Sequence, residues 1–221
     1  MEKEEKGREG VMRGLKQQLL YAGHVIFHPF DGFYDLKHEK RGSLKAALVL
    51  YGLYWLTEVL KQQLTGYIFN GSDPADFNVL TASAVILVPL VMWCAANWCV
   101  TSLMDGEGSF PDMLTATGYA LVPAILLNPL AILLSNLLGQ NEAMLLGIVT
   151  TITTIWMGAL LFFGMLVTQQ YSLGKALLTT LLTFLGMALM AYIFLLVLYL
   201  LQQVYGFGRD LYMEIAFRFR R

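Results

Sequence analysis

The sequence predicts an all-α polytopic integral membrane protein, a helical bundle of about five transmembrane helices preceded by an amphipathic interfacial helix. Three observations carry this. Apolar residues make up 57% of the 221 positions and charged residues only 14%. Most of the charge falls before Leu48, whereas a soluble chain of this size sets a charged face on nearly every helix. Five later stretches each approach the ~20 apolar residues a spanning helix needs. One membrane domain fills the chain, which leaves no room for a soluble enzyme domain.

The net charge of −1 hides an asymmetry, because nine of the fifteen Lys and Arg lie at or before Lys45, interleaved with Glu2, Glu4, Glu5, Glu9 and Glu39. No basic stripe with interleaved aromatics stands in a soluble segment, so no nucleic-acid partner is expected. The start does not read as a signal peptide: Met1 to Gly10 is polar, and Arg13, Lys16, Gln17 and Gln18 interrupt the apolar positions that follow. Val11, Leu15, Leu19, Ala22 and Ile26 recur at helical spacing. Such a helix ahead of a first span lies in the headgroup region, with Arg13 and Lys16 toward lipid phosphates. Pro29 and Asp31-Gly32 should end it, and Asp31 or Asp35 should cap the next helical segment.

The spans follow at about Leu44–Leu64, Val79–Leu103, Met113–Leu138, Ala143–Val167 and Ala176–Leu201. Pro89 and Asn97 fall in the second, Pro123 and Pro129 in the third, and Thr150-Thr151 and Thr153-Thr154 in the fourth. The domain plan is therefore a cytoplasmic N-terminal segment (1–43), a transmembrane domain (44–203) and a short basic C-terminal tail (204–221). Short polar connections make neighbouring spans antiparallel. The basic N-terminal side is assigned to the cytoplasm of the cell membrane. Thr65–Asn78, with Asp73 and Asp76 and no Lys or Arg, suits an outside loop. The tail, with Arg209, Arg218, Arg220 and Arg221, fits an outside position less well. Either a basic tail is exported, or one stretch is re-entrant. Asn128-Pro129 after Pro123 marks the best break for that.

A short repeat is also visible. Val100-Thr101 with Ser109 to Thr117 resembles Val167-Thr168 with Ser172 to Thr180, at the exits of the second and fourth spans. Parallel repeats are one explanation, and chance similarity of apolar sequence is the other.

Ionisable groups inside a bilayer are costly and mark functional candidates. Glu58 and Lys61 share a helix face and can pair near the outer interface. Asn97, Asn128 and Asn136 suit interhelical hydrogen bonds or, alternatively, a solute path. Glu58, Lys61, Asn97 and Asn128 are the candidate intramembrane polar sites. His24, His28, Asp31, Asp35 and His38 have metal-ligand residue types, but no recognised set is completed and no metal is expected. Cys94 and Cys99 fall on different sides of one helix and read as ordinary buried thiols.

The connection Asp105-Gly-Glu-Gly-Ser-Phe-Pro-Asp112 predicts tight turns at its glycines. Ser109 suits an N-cap, with Pro111 in the first turn and Asp112 near the positive helix end. Asp105, Glu107, Phe110 and Asp112 form the candidate partner-binding loop, because acids and an aromatic are grouped on a short connection. No nucleotide loop, nucleophile with a base, or zinc-protease helix is present, so neither catalysis nor a cofactor is expected.

The segment His28-Pro-Phe-Asp-Gly-Phe-Tyr-Asp-Leu-Lys-His-Glu-Lys-Arg-Gly-Ser43 resembles the pre-membrane segment of bacterial Yip1-domain proteins. Asn97-Trp98, Asp105-Gly-Glu-Gly-Ser-Phe110 and Gly118-Tyr-Ala-Leu-Val-Pro123 are similar to further landmarks of that family. The resemblance implies five transmembrane helices with a cytoplasmic N-terminus. Eukaryotic members act in vesicle trafficking with Rab-type GTPases. Their Asp-Leu-Tyr-Gly-Pro landmark is absent, since Lys37-His38 follows Asp35-Leu36, so that role is not carried over.

The function expected is a non-enzymatic scaffold, adaptor or membrane-organising component that works through its cytoplasmic face. Its expected partners are the lipid bilayer and a membrane or cytoplasmic protein. The alternative is a small transporter or channel subunit with a solute path near spans two to four. No oligomeric state is assigned.

Overall fold

Long apolar runs joined by short connections fold back on one another, and the computed structural model is a bundle of packed helices. It describes residues 14, 17–39, 41–69 and 77–219, apart from the side chains of 210 and 214–219. The first turns expected of the amphipathic helix, with Val11, Arg13, Leu15 and Lys16, lie outside the described residues, as do Asp73 and Asp76. Helix accounts for 87% of the described residues, and no strand occurs among them. The elements are α1 (residues 17–27), α2 (Pro29–His38), α3 (Leu44–Leu64), α4 (Val79–Leu103), α5 (Phe110–Ala120) and α6 (Val122–Leu137). A 3-10 turn, Gln140–Glu142, then leads into α7 (Ala143–Thr168) and α8 (Leu173–Phe219).

Local chemistry explains most helix starts. The Ser43 hydroxyl accepts from the Ala46 N–H at 3.2 Å, and the Asn78 side chain accepts from the N–H groups of Leu80 and Thr81, so each satisfies donors a helix start leaves open. Asp112 accepts from the Ser109 N–H at 2.9 Å and from its hydroxyl at 2.6 Å, which fixes the start of α5 where the residue types predict it.

Among the described residues, four helices are long and apolar enough to cross a membrane: Val79–Leu103, Phe110–Leu137, Gln140–Thr168 and Leu173–Met213, with mean hydropathies of 2.2, 1.9, 1.9 and 2.5. The second joins α5 and α6. Their axis is interrupted at Leu121, where Pro123 lacks the N–H that would continue the ladder and Leu121 bonds back to Gly118. The break therefore lies before Pro123, while α6 passes through Pro129 without ending. α3 is less apolar, because Lys45, Glu58, Lys61, Gln62 and Gln63 fall within its 21 residues.

α3 nonetheless runs the length of the α5–α6 unit, and parallel to it. Ala47 packs on Gly118 near one end, Glu58 meets Asn128 in the middle, and the Leu64 carbonyl accepts from Asn136 near the other. At Gly118 an added Cβ would stand 2.9 Å from the Ala47 Cβ and 3.1 Å from its Cα, so only glycine permits this approach. α4 runs antiparallel to α3, with Trp55 Nε1 donating to Ser83 and Tyr51 beside Cys94. α8 packs on α4 through Thr179, Thr183 and Gly186, and from Tyr192 onward its described side chains are almost all exposed. At 47 residues it extends about 70 Å.

α1 does not lie apart from the bundle. With α2 it forms a hairpin docked on α7, and Ala22, Val25 and Ile26 are buried in the main core with Phe33, Leu36, Leu50, Tyr119 and Leu160. Gly32 lets α2 close on α1, since a Cβ there would sit 2.9 Å from the Val25 backbone. The expected cap by Asp31 or Asp35 is replaced. Asp31 lies inside the first turn of α2, Asp35 accepts from Tyr21, and Ser43 caps the next helix.

Candidate docking face at one end of the bundle

The hairpin, the start of α3, the Met104–Ser109 connection and the Gln169–Ser172 turn meet at one end of the bundle. Two helices arrive there by the same turn. Asp105 and Gln170 are the described non-glycine residues with positive φ, both 53°, directly after the C-caps of α4 and α7. The Gly106 N–H then bonds to the Thr101 carbonyl and the Tyr171 N–H to the Leu166 carbonyl, the six-to-one bond of a Schellman turn. Tight turns are expected at the glycines of this connection, and the positive φ of its turn could fall on either of them. The structure assigns it to Asp105 and uses the glycines for close approach instead.

What they approach is Gln169, a fully buried side chain. Its Oε1 accepts from the Gly108 N–H at 2.8 Å, and its Nε2 donates to the Thr101 hydroxyl at 3.2 Å. A Cβ on Gly106 would stand 2.3 Å from Gln169 Oε1, and one on Gly108 2.9 Å from Nε2. Tyr171 donates to the carbonyls of Thr101 and Met104, and burial holds its hydroxyl pKa above the ordinary value, with nearby Asp105 adding to the effect. The α7–α8 turn thus clasps the α4–α5 connection. No motif in the sequence marks Gln169, whose role depends on which connection lies opposite.

α2 docks on the same clasp. Phe33 packs over Gly164, where a Cβ would meet the ring at 3.1 Å, and Phe30 tilts against Phe163 at 4.9 Å between centroids. Lys37 donates to the Thr168 carbonyl at 2.9 Å and lies 3.9 Å from Glu107. Behind it, Tyr119 donates to the Gln18 carbonyl, and Ser43 donates to the Gln18 side chain. A cleft of about 230 Å³ opens between α2, the starts of α3 and α5, and Thr168.

Tyr21 ties α1 to α2 by donating to Asp35 at 2.9 Å, beside Arg41. Burial, and then the bond to Asp35, hold its hydroxyl pKa above the ordinary 10.0. The folded state therefore favours the protonated form, so this contribution is complete below about pH 10 and is lost as pH rises further. Spin-label distances between α1 and α2 should lengthen above about pH 10 in the parent chain. In Tyr21→Phe they should show no such transition.

The predicted loop residues all belong to this end. Asp105 and Glu107 are exposed, Phe110 is 36% exposed with its edge on Trp98 at 5.5 Å, and Asp112 is half-buried at the start of α5. The connection is held from behind by Gln169 and presents its acids outward.

The intramembrane polar residues lie elsewhere. Among the described residues Glu58 and Lys61 form no ion pair within 4 Å, and Asn128 stands between them. Lys61 donates to Asn128 Oδ1 at 3.3 Å, while Asn128 Nδ2 donates to Glu58 at 2.9 Å. Asn97, fully buried between α4 and α8, donates to Thr183 at 3.2 Å, and its Oδ1 has no partner among the described residues. Asn136 donates to the Leu64 carbonyl at 2.8 Å. The sequence placed these residues on spans but could not show that Asn128 bridges an acid and a base on another helix.

His24 and His28 stack at 4.8 Å beside the hairpin tip, whereas His38 lies at the far end of α2 near Gln170, so the three do not converge. Cys94 is buried and Cys99 exposed, which corrects the reading of both as buried thiols.

The landmark residues thus hold the end of the bundle together: Gly118 and Tyr119 seat α3 and α1, Trp98 backs Phe110, and Pro123 follows the break between α5 and α6. Residues 23–194 match the family model described as the Yip1 domain. The chain belongs to the Yip1 family. The matched region begins in α1 and ends within α8, so this Yip1 domain includes most of the hairpin as well as the apolar helices. No curated protein and no solved structure matches the chain. Family and hydropathy together identify a multi-pass membrane protein, and the Yip1 family is not known as an enzyme family.

Proposed function

We propose that this Yip1-family protein is a non-enzymatic scaffold of the cell membrane, which organises a protein partner or the bilayer through the end of the bundle built from the hairpin and the two clasped connections. The observation that carries the reading is the clasp itself. Gln169 and Tyr171 spend hydrogen bonds on fixing one short connection, whose Asp105, Glu107 and Phe110 then face outward, and Lys37 bonds to the Thr168 carbonyl beside it. A rigid acidic and aromatic surface suits recognition, because little ordering entropy is lost on binding.

In this reading α3 is a fifth span. Its contacts follow the α5–α6 unit from Ala47 to Leu64, so it crosses whatever thickness that unit crosses, and Asn128 masks the charges that lower its hydropathy. Five alternating passes put the hairpin and both connections on the side of the N-terminus. The basic early segment favours the cytoplasm for that side. The hairpin exposes Leu20, Phe27, Phe30 and Tyr34 together with His24, His28 and Asp31, the mixed composition of an interfacial layer. The departure at Lys37-His38 from the eukaryotic landmark supports placing the chain in the bacterial branch.

The transport alternative rests on Glu58, Lys61, Asn97 and Asn128. Asn128 is spent on contacts between helices, as are Glu58 and Lys61, which weighs against a wet path there. Loss of solute flux in Asn97→Ala or Asn128→Ala proteoliposomes would favour transport.

A photoreactive residue at Phe110 tests the scaffold reading in cells. The expected result is one foreign protein captured in near-stoichiometric yield, and its loss when Asp105→Asn, Glu107→Gln and Phe110→Ala are combined while membrane insertion persists. Capture of nothing, or capture unchanged by the triple substitution, contradicts it.

A further inference from the structure

The cleft beside α2 is accounted for by neither the clasp nor the exposed loop. Its floor is apolar, with Phe33, Leu36 and Leu44, and its walls bring together a cation, Lys37, and an anion, Asp112. At about 230 Å³ it is smaller than the roughly 300–1,000 Å³ of sites that take drug-sized ligands, so it suits one compact polar group.

We propose that this cleft binds the headgroup of a phospholipid that carries both a phosphodiester and a primary ammonium. Lys37 is mostly buried, with its side chain 15% exposed. One of its three N–H donors goes to the Thr168 carbonyl, and Glu107 at 3.9 Å is beyond hydrogen-bond distance, so donors remain for a phosphate oxygen. Both bonds from Ser109 fall on Asp112 Oδ2, which leaves Oδ1 to accept from an ammonium. A group with a single negative charge would meet Lys37 favourably and Asp112 unfavourably, whereas the zwitterion complements both. A quaternary ammonium offers no N–H to Oδ1 and is the poorer fit. The apolar side of the cleft selects a lipid over a soluble phosphodiester, since Leu44, which is exposed, receives the glycerol and upper acyl carbons. The inference rests on the reading that this end of the bundle lies at headgroup depth. It does not require a protein partner.

Native mass spectrometry of the full chain, released from nanodiscs of equal phosphatidylethanolamine, phosphatidylcholine and phosphatidylglycerol, tests this. The expected result is selective retention of phosphatidylethanolamine, reduced about tenfold by Lys37→Met, the scale of one charge-assisted hydrogen bond, and restored by Lys37→Arg. Thr115→Phe, which fills the cleft from its other wall, should also lose the lipid, so the result does not depend on one variant folding. Asp112→Asn should shift retention toward phosphatidylglycerol. Equal retention of the three lipids, or retention unchanged by both Lys37→Met and Thr115→Phe, overturns the proposal. Displacement by soluble glycerophosphoethanolamine overturns the lipid as the source. Because the readout needs no captured partner, failure of the scaffold reading leaves it intact, and the converse also holds.

Discussion

Gln169→Leu is expected to destabilise the protein by about 2 kcal/mol and to free the Met104–Ser109 connection from the bundle. Leucine fills a similar volume but supplies neither the acceptor for the Gly108 N–H nor the donor to Thr101. Leaving such a group unpaired costs about 1–3 kcal/mol. The hydroxyl of Thr101 still donates to the Trp98 carbonyl, so the orphaned Gly108 N–H carries most of the loss. Chemical unfolding in micelles measures the stability, and the labelling rate of a cysteine introduced at Glu107 measures the loop. Faster labelling with lower stability is the predicted pair. A change in stability within about 0.5 kcal/mol would place the position among ordinary surface sites and contradict the clasp.

Gly118→Val is expected to have an effect at least as large, about 3 kcal/mol, by forcing α3 off α5. Its Cβ alone would meet Ala47 at 2.9 Å from the Cβ and 3.1 Å from the Cα, and backbone atoms cannot move aside as the end of a flexible side chain does. Overpacking of this kind costs about 1–3 kcal/mol and occasionally more. The shift would also drag Tyr119 from the core and break its bond to the Gln18 carbonyl, so the hairpin should loosen with α3. Distances between labels on α3 and α5 and between α1 and α5 should both lengthen. If only the first changes, Tyr119 is not what couples the hairpin to the bundle.

Where the chain speaks through local chemistry, the sequence foretells the structure well. The limits of α3 and α4 coincide with the apolar runs at Leu44–Leu64 and Val79–Leu103, because Ser43 and Asn78 cap them. Ser109, Pro111 and Asp112 likewise announce the start of α5. What needed a partner from elsewhere stayed hidden. Gln169 is one polar residue among several until Gly108 is seen opposite it, and Asn128 is an unremarkable amide until it falls between Glu58 and Lys61. The α1–α2 hairpin was foreshadowed only as one amphipathic helix, since the closure over Gly32 depends on Val25 across the turn. The short sequence repeat acquires a modest physical content: α4 and α7 end in the same turn, and α5 and α8 each begin beside a serine. The turns match with Met104 opposite Gln169, two residues out of register with the pairing of Thr101 and Thr168, so the likeness lies in the turns rather than in that stretch of sequence.

In the proposed topology this end of the bundle faces the cytoplasm and α3 crosses the membrane to bring the chain there. Labelling with a membrane-impermeant maleimide in intact cells tests this most directly, using Glu39→Cys, Tyr67→Cys and Glu107→Cys singly in a Cys94→Ala, Cys99→Ser background. The expected result is that Tyr67→Cys is labelled from outside, while Glu39→Cys and Glu107→Cys are labelled only after permeabilisation. Glu39→Cys and Tyr67→Cys labelled from the same side would make α3 no span, and would contradict both the five-pass bundle and the docking face built upon it.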